Sequence, residues 1–461
     1  VIAPRLRRAL AAAIACTVAS AAFLAVPQRG VAQADDARGI ARDGYVYGYP
    51  LVLMGVTKQI ATAMSSTGQF VHMLSGPTPV FRIVVAPNGD TRYSSAWIDL
   101  SAEPQVLHVP DAGGRYFVAQ VMDAWTDVIA DPTPRIPDSS PANYVLVGPG
   151  WKGGTAPGQH LVRSSTNDVW VLARTRARPD DPPEAITEIQ QQYSVVPLSR
   201  FGDAAYEPLR GLLREPNVST GPSPPSLVAA MPAAAFFARL AAALGKNPPR
   251  ADDRTIVERL ARIGVVPGKP FDPAALTAAQ RAQLEDGVRD ARALLDRYDA
   301  PAVPHVNGWR WTKNTGRFGT DYLYRAYVAQ TLLAANLPED AVYPETSVDA
   351  TGAPLTGARP YALHFDRAQL PPARAFWSLT LYSPDHYLVP NASDRYTLRD
   401  ASLKRNADGS IDVTIQHDAP AGDRTNWLPA PAGPFLVMLR MYWPLPAGLD
   451  GTYRIPAIQP R

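Results

Sequence analysis

The chain reads as a mainly β protein with an α insert: two antiparallel β-sandwich or jelly-roll-like lobes joined by a small helical region. Three observations lead to that fold class. Short runs rich in β-branched and aromatic residues crowd residues 80–176 and return near the C-terminus. Pro (47 residues) and Gly (32 residues) are spread along the chain and cut those runs apart as turns. Between the two blocks, residues 226–298 carry helical periodicity. With 461 residues the chain can hold two or three domains. The expected division is 1–34 as a signal peptide, 35–200 as an N-terminal β domain, 201–300 as a helical insert, and 301–461 as a jelly-roll-like C-terminal β domain.

The first segment is set aside before the fold is built. Arg5, Arg7 and Arg8 precede a nearly apolar run over 9–26, and Ala32-Gln33-Ala34 offers a small-residue cleavage site. This is the three-part pattern of a secretory signal. It implies a secreted or periplasmic product without stable membrane insertion after cleavage. Residues 1–34 hold four Arg and no acid, so removing them takes the formal charge from +3 to −1. The basic balance therefore belongs to the leader and gives no support for a nucleic-acid partner. Cys16 is the one cysteine, so the mature chain has no disulfide, thiolate or Cys–zinc chemistry.

Ile40, Gly44, Tyr47, Leu51 and Met54 share one helical face, with Pro50 expected to kink or split that helix. Tyr45, Tyr47 and Tyr49 read as packing residues. Strands are expected at 81–85, 93–100, 106–109, 115–122, 144–147 and 169–173, paired as hairpins and meanders because no crossover helix separates them. In the middle, Pro232 starts a helix burying Phe236, Leu240 and Leu244. Ile256, Leu260 and Ile263 form a second stripe that stops at Gly264. Thr277 and Gln280 form a capping box for a helix burying Leu284, Val288, Ala291 and Leu295. A further helix is expected at 322–336, then strands at 376–382, 411–416 and 435–443, with Asp408-Gly409 as a hairpin signal. No internal repeat is visible in the sequence.

Two sets of residues carry a resemblance. The first is Tyr47-Gly48-Tyr49-Pro50-Leu51, Pro87-Asn88-Gly89-Asp90-Thr91-Arg92-Tyr93-Ser94 and Gln120-Val121-Met122-Asp123. The second is Phe376-Trp377-Ser378-Leu379-Thr380-Leu381-Tyr382, Arg395-Tyr396, Asn426-Trp427-Leu428-Pro429 and Leu439-Arg440-Met441-Tyr442. Together the chain resembles the tandem domain-of-unknown-function families 1254 (N-terminal) and 1214 (C-terminal). The resemblance implies two sandwich or jelly-roll-like lobes and brings no activity.

There is no Gly-x-Ser-x-Gly elbow, His-Glu-x-x-His or phosphate loop. The seven His are scattered, so no metal site and no cofactor is expected. The polar set that stands out is Asn88, Asp90, Arg92, Tyr93, Arg115, Tyr116, Gln120 and Asp123. Strand parity puts Gln120 between apolar neighbours. One reading is a structural polar network. The other is a pocket in which Asn88, Arg92, Arg115, Tyr116 and Gln120 hold a ligand, with Asp90, Asp123 and Tyr93 as catalytic candidates. Asp321 and Arg325 read as a surface i,i+4 pair. Trp377, Trp427 and Trp443, with Tyr382 and Tyr442, read as core or as a sugar-stacking platform. The sequons at Asn217 and Asn391 read as chance matches.

The expected function is an exported protein that binds a polar or glycan-like ligand between its lobes. The alternatives are a metal-independent hydrolase or lyase using the Asp/Tyr/Arg set, and a structural or interaction protein without a pocket. The sequence leaves the oligomeric state open.

Overall fold

A computed structural model describes residues 31–154, 158–178, 181–182, 184–216, 221–298, 305–311 and 313–461, with side chains from residue 37 onward. The signal-peptide reading lies outside these residues apart from the backbone at its end. The sequon at Asn217 lies outside them altogether.

Helix and strand each make up 26% of the structure, so the mainly β expectation is corrected to a mixed fold. The additional helix comes mostly from one element. Val31–Ala61 is a single 31-residue helix, and Pro50 lies inside it without splitting it. Its residues 44–54 are all buried, because the helices Ala233–Lys246, Arg254–Ala261, Ala278–Asp296 and Tyr322–Thr331 surround it. A helix enclosed on every side needs no apolar stripe. Tyr45, Tyr47 and Tyr49 all belong to this core. The capping box of Thr277 and Gln280 forms as expected. Phe236, Leu240, Leu244, Ile256, Leu260, Leu284, Val288, Ala291 and Leu295 are all buried. The helix at 322 ends at Thr331, five residues before the expected limit.

Each lobe is a large sheet faced by a small one. The first large sheet runs, in spatial order, Leu212–Arg214, Val71–Met73, Thr91–Asp99, Asp168–Arg176, Phe117–Asp123, Val128–Ala130. Its small partner runs Gln159–Arg163, Ala142–Val147, Gln105–Val109, Ser194–Pro197. The chain alternates between the two sheets, so most neighbouring strands are distant in sequence and the expected meanders are few. Val71–Met73 with Leu212–Arg214, and Ala142–Val147 with Gln159–Arg163, even pair in parallel. The second large sheet centres on Leu436–Pro444, flanked by Ala373–Tyr382 on one side and by Ala341–Val342 and Glu345–Thr346 on the other. Its partner runs Trp427–Pro429, Ile411–Gln416, Tyr361–Phe365, Gln459–Pro460. None of these sheets closes, and a jelly-roll order is not seen. Residues 81–85 are irregular, bent backbone rather than a strand. Pro77, Pro79 and Pro87 crowd this segment and withhold ladder donors. Asp408-Gly409 makes its turn, with the Asp408 carboxylate accepting from the Ser410 amide (2.9 Å), but the strand before it, Thr397–Arg399, pairs elsewhere.

Strand parity then sorts the side chains. Phe117, Ala119 and Val121 face the small sheet and fill the first sandwich. Tyr116 and Val118, on the other face, pack on the second lobe beside Phe376, Met438 and Tyr442. The seam is aromatic: Phe376 stacks on Tyr442 at 4.1 Å, and Tyr116 meets both edge-on at 5.5 and 5.6 Å. Trp97, Met122 and Trp170 carry the remainder of the first large sheet against the helices.

The two large sheets share a register that the sequence conceals. Arg174 stands opposite Tyr93 on one neighbour and Val118 on the other. Arg440 stands opposite Ser378, and the pairing of Val342 with Met441 puts Tyr343 in the row of Arg440 on its other side. Each lobe thus presents a Tyr–Arg row in its central strands, and both rows lie at the seam.

Candidate functional site

The eight polar residues of the sequence reading do not converge on one site. Asp90 and Asp123 sit near opposite ends of the first large sheet. Asp123 lies in the row of Val169 and Ile98, eight residues along the strand from Asp90. At about 3.3 Å per residue they stand roughly 25 Å apart. Paired-carboxylate hydrolysis works at well under half that distance.

Asp90 is enclosed at the seam. Its Oδ2 accepts from Ser378 Oγ (2.6 Å) and the Tyr442 hydroxyl (3.0 Å), and its Oδ1 lies 3.3 Å from Arg399 Nε. All three partners come from the second lobe. The Asn88-Gly89-Asp90 turn that presents it is held by Asn88 Oδ1, which accepts from the Asp90 amide (2.5 Å). The Asn88 amide in turn donates to the Tyr93 hydroxyl (3.0 Å).

Asp123 belongs to a different network, under the helices. Its Oδ1 accepts from the amides of Trp125 (2.9 Å) and Asp127 (3.0 Å), and its Oδ2 accepts from Ser165 Oγ (2.7 Å). Burial, with the charge of Asp127, pushes its carboxyl up to about 6. Arg250 pairs with Asp127, and Asp253 accepts from the hydroxyls of Tyr322 (2.8 Å) and Tyr47 (3.3 Å). Arg325 is fully buried here, 5.6 Å from the Trp125 ring centre, and donates to the Gly319 carbonyl. The expected surface pair with Asp321 is therefore absent. Asp321 instead caps its helix by accepting from the Tyr324 amide (3.0 Å).

The remaining candidates are placed by packing. Arg115 makes a two-pronged pair with Asp181. Tyr116 donates its hydroxyl to the Asp340 carbonyl (2.8 Å) across the seam. Gln120 sits between Val118 and Met122, as parity requires. It donates to the Ala335 carbonyl (2.7 Å) and accepts from Arg174 (3.0 Å). Trp377, Trp427, Tyr382 and Tyr442 are buried, so they form no open stacking platform.

Arg92 is the candidate that faces open space. It lines a groove of about 990 Å³ between the lobes, walled by residues 75–80 of the first and 388–402 of the second. Arg395 and Arg399 line it as well, and Asp394 is the one carboxylate among its described lining residues. Arg399 is held by the Gly89 carbonyl (2.7 Å) and by Asp90. Arg395 is braced by the Trp427 carbonyl (3.1 Å). Arg92 makes no hydrogen bond or ion pair with any described residue. Burial and the like charge of Arg399 pull it below the usual guanidinium value. Asp394 is engaged by the Tyr396 hydroxyl (2.7 Å). Sequence reasoning did not assign Arg395 and Arg399 to a site, although the former stands beside Tyr396 in a segment with little apolar character.

A second space, about 440 Å³ and largely apolar, lies between the end of the first helix and the sheet. Met73, Leu172 and the stacked pair Trp97 and Trp170 (5.0 Å) line it. Among the described residues no group of three His, Cys, Asp or Glu is arranged to hold a metal ion. No helix among them is long and apolar enough to cross a membrane.

Fold and groove together define a helix-clad pair of β sandwiches with a basic cleft at the seam. The chain is a tandem of two families: residues 67–197 match the protein of unknown function DUF1254, and residues 340–446 match the protein of unknown function DUF1214. Among solved structures, the crystal structure of the VPA0106 protein from Vibrio parahaemolyticus is similar, with a TM-score of 0.64 and 22% identity over 92% of this chain and 100% of that one. That likeness concerns the fold. An uncharacterized protein from Burkholderia cenocepacia aligns over 93% of this chain and 94% of its own, at 13% identity and a TM-score of 0.44. No curated protein matches the chain.

Proposed function

We propose that this protein is exported and binds an anionic, oxygen-rich ligand of the acidic-glycan class in the groove between its lobes. The observation that carries the reading is Arg92. Its guanidinium faces a groove of about 990 Å³ and has no protein acceptor among the described residues. Arg399 and Arg395 line the same groove, and Asp394 is the one carboxylate among its described lining residues. Guanidinium groups match carboxylate and sulfate oxygens in paired geometry, and three of them on two lobes suit a ligand with several acidic groups. Tyr396 adds a ring against which a sugar face can pack. Export rests on the leader pattern of residues 1–34.

Asp90 acts in this reading by positioning Arg399 from behind the groove wall. Its carboxylate has no exposed surface and is occupied by Ser378, Tyr442 and Arg399, which argues against a catalytic base. The test is a thermal-shift panel of oligogalacturonates and sulfated oligosaccharides beside their neutral counterparts. The acidic members are expected to raise the melting temperature, and Arg92→Gln is expected to weaken binding about tenfold. A neutral sugar that binds as well as its acidic form would overturn the assignment.

A further inference from the structure

Behind the groove, the two Tyr–Arg rows meet around a smaller cavity of about 30 Å³. Its halves are built alike, one from each lobe. Ala86 has φ 47° and Ala334 has φ 64°, a backbone region that side chains other than glycine seldom adopt. Two residues after each comes an asparagine whose amide donates to a tyrosine hydroxyl: Asn88 to Tyr93 (3.0 Å) and Asn336 to Tyr343 (3.1 Å). Each strained carbonyl accepts from the arginine of the opposite lobe. Arg440 reaches Ala86 O (2.9 Å) and Arg174 reaches Ala334 O (2.6 Å). Each arginine also bonds the side chain two residues beyond its partner on the adjacent strand, Thr380 for Arg440 and Gln120 for Arg174, both at 3.0 Å.

The electrostatics of this arrangement are one-sided. Arg174 and Arg440 are 6% and 2% exposed, and no described carboxylate lies within ion-pair distance of either. Asp90 favours the Arg440 charge from a distance but does not touch it, because its oxygens are taken by Ser378, Tyr442 and Arg399. A guanidinium has five N–H donors. Each of these two makes three hydrogen bonds to described residues, which leaves two donors apiece. The hydroxyls of Tyr93 and Tyr343 each accept from an amide, and neither proton has an acceptor among the described residues. The lining is otherwise largely aliphatic, so the two cations and the free hydroxyl protons set its polarity and call for an occupant that only accepts. Water brings as many donors as acceptors and leaves the buried charge uncompensated. The space is small, so the occupant has few heavy atoms.

We infer that the cavity is a binding site for one small carboxylate, of the size of formate or acetate, held by Arg174, Arg440 and the hydroxyls of Tyr93 and Tyr343. The site is separate from the groove and does not depend on its ligand.

The test is calorimetric titration and thermal unfolding with sodium formate and sodium acetate at fixed ionic strength, with sodium chloride as the control. Formate and acetate are expected to raise the melting temperature saturably at millimolar concentration, and chloride is expected not to. Tyr93→Phe with Tyr343→Phe keeps both rings and is expected to weaken formate about tenfold or more. Arg174→Gln is expected to abolish binding. If that variant does not fold, the phenylalanine pair decides. Absence of a saturable effect, equal stabilisation by chloride, or unchanged affinity in the phenylalanine pair would each overturn the site.

Discussion

His72 is fully buried, stacked on Phe70 at 5.7 Å, with Nδ1 on Ser94 Oγ (2.9 Å) and no partner for Nε2 among the described residues. Burial lowers its pKa from 6.5 to about 4. Between those values the unfolded chain binds a proton that the folded chain refuses, so stability rises with pH through this window and falls as pH drops. The loss on acidification from 6.5 to 4 is expected to be about 3 kcal/mol. Denaturant titrations at several pH values measure it, and His72→Leu should flatten that part of the profile. Asp90 makes a second prediction at this scale. Asp90→Asn keeps the shape but removes the charge that faces Arg399. The expected cost is about 2 kcal/mol, below that of a wholly buried pair because Arg399 is 47% exposed. Urea unfolding checks it, and a loss near zero would mean that Asp90 is not what fixes Arg399. The residues of this seam were partly legible. The Asn88-Gly89-Asp90 turn and the burial of Gln120 followed from local chemistry and parity. Arg440 falls inside an expected apolar strand and Arg174 just past the end of another, and only the pairing of the lobes brings them together.

At the scale of elements, the helices tell the clearest story. Gly287 lies where the helix Ala278–Asp296 crosses the first helix, and a Cβ there would stand 2.3 Å from the Arg38 carbonyl. Backbone cannot yield as a side chain can, so Gly287→Ala is expected to cost about 1–3 kcal/mol. Gly39, on the first helix, has no atom within 4 Å of its Cβ position. Gly39→Ala should therefore be neutral or gain up to about 1 kcal/mol from helix propensity. The pair, measured by thermal unfolding, separates close crossing from propensity. Equal effects would contradict the crossing. Stripes, caps and stops were readable here because they are local: Thr277 and Gln280 are three residues apart. Strand partners were not readable. Thr91–Asp99 pairs with Asp168–Arg176, far along the chain, and nothing in either run names the other. Pro50 does not split its helix for a related reason, since neighbours far away in sequence pack around it.

For the whole molecule, the seam decides the behaviour. Tyr116, Phe376 and Tyr442 interlock across it, Tyr382 donates to the Pro87 carbonyl (2.7 Å), and Tyr116 donates to the Asp340 carbonyl (2.8 Å). Lobes joined this way should unfold together, in one calorimetric transition. Tyr116→Ala, which removes a buried ring and its hydrogen bond, is expected to cost about 3–5 kcal/mol. The same rigid seam holds Arg92 on one wall of the groove and Arg395 and Arg399 on the other. Hydrogen–deuterium exchange with and without a saturating oligogalacturonate tests that arrangement most directly. The account predicts that amides of residues 75–80 and 393–399, one rim from each lobe, gain protection together, and that Arg92→Gln removes both gains at once. Protection on one rim alone, or at the apolar space around Trp97 and Trp170 instead, would contradict it.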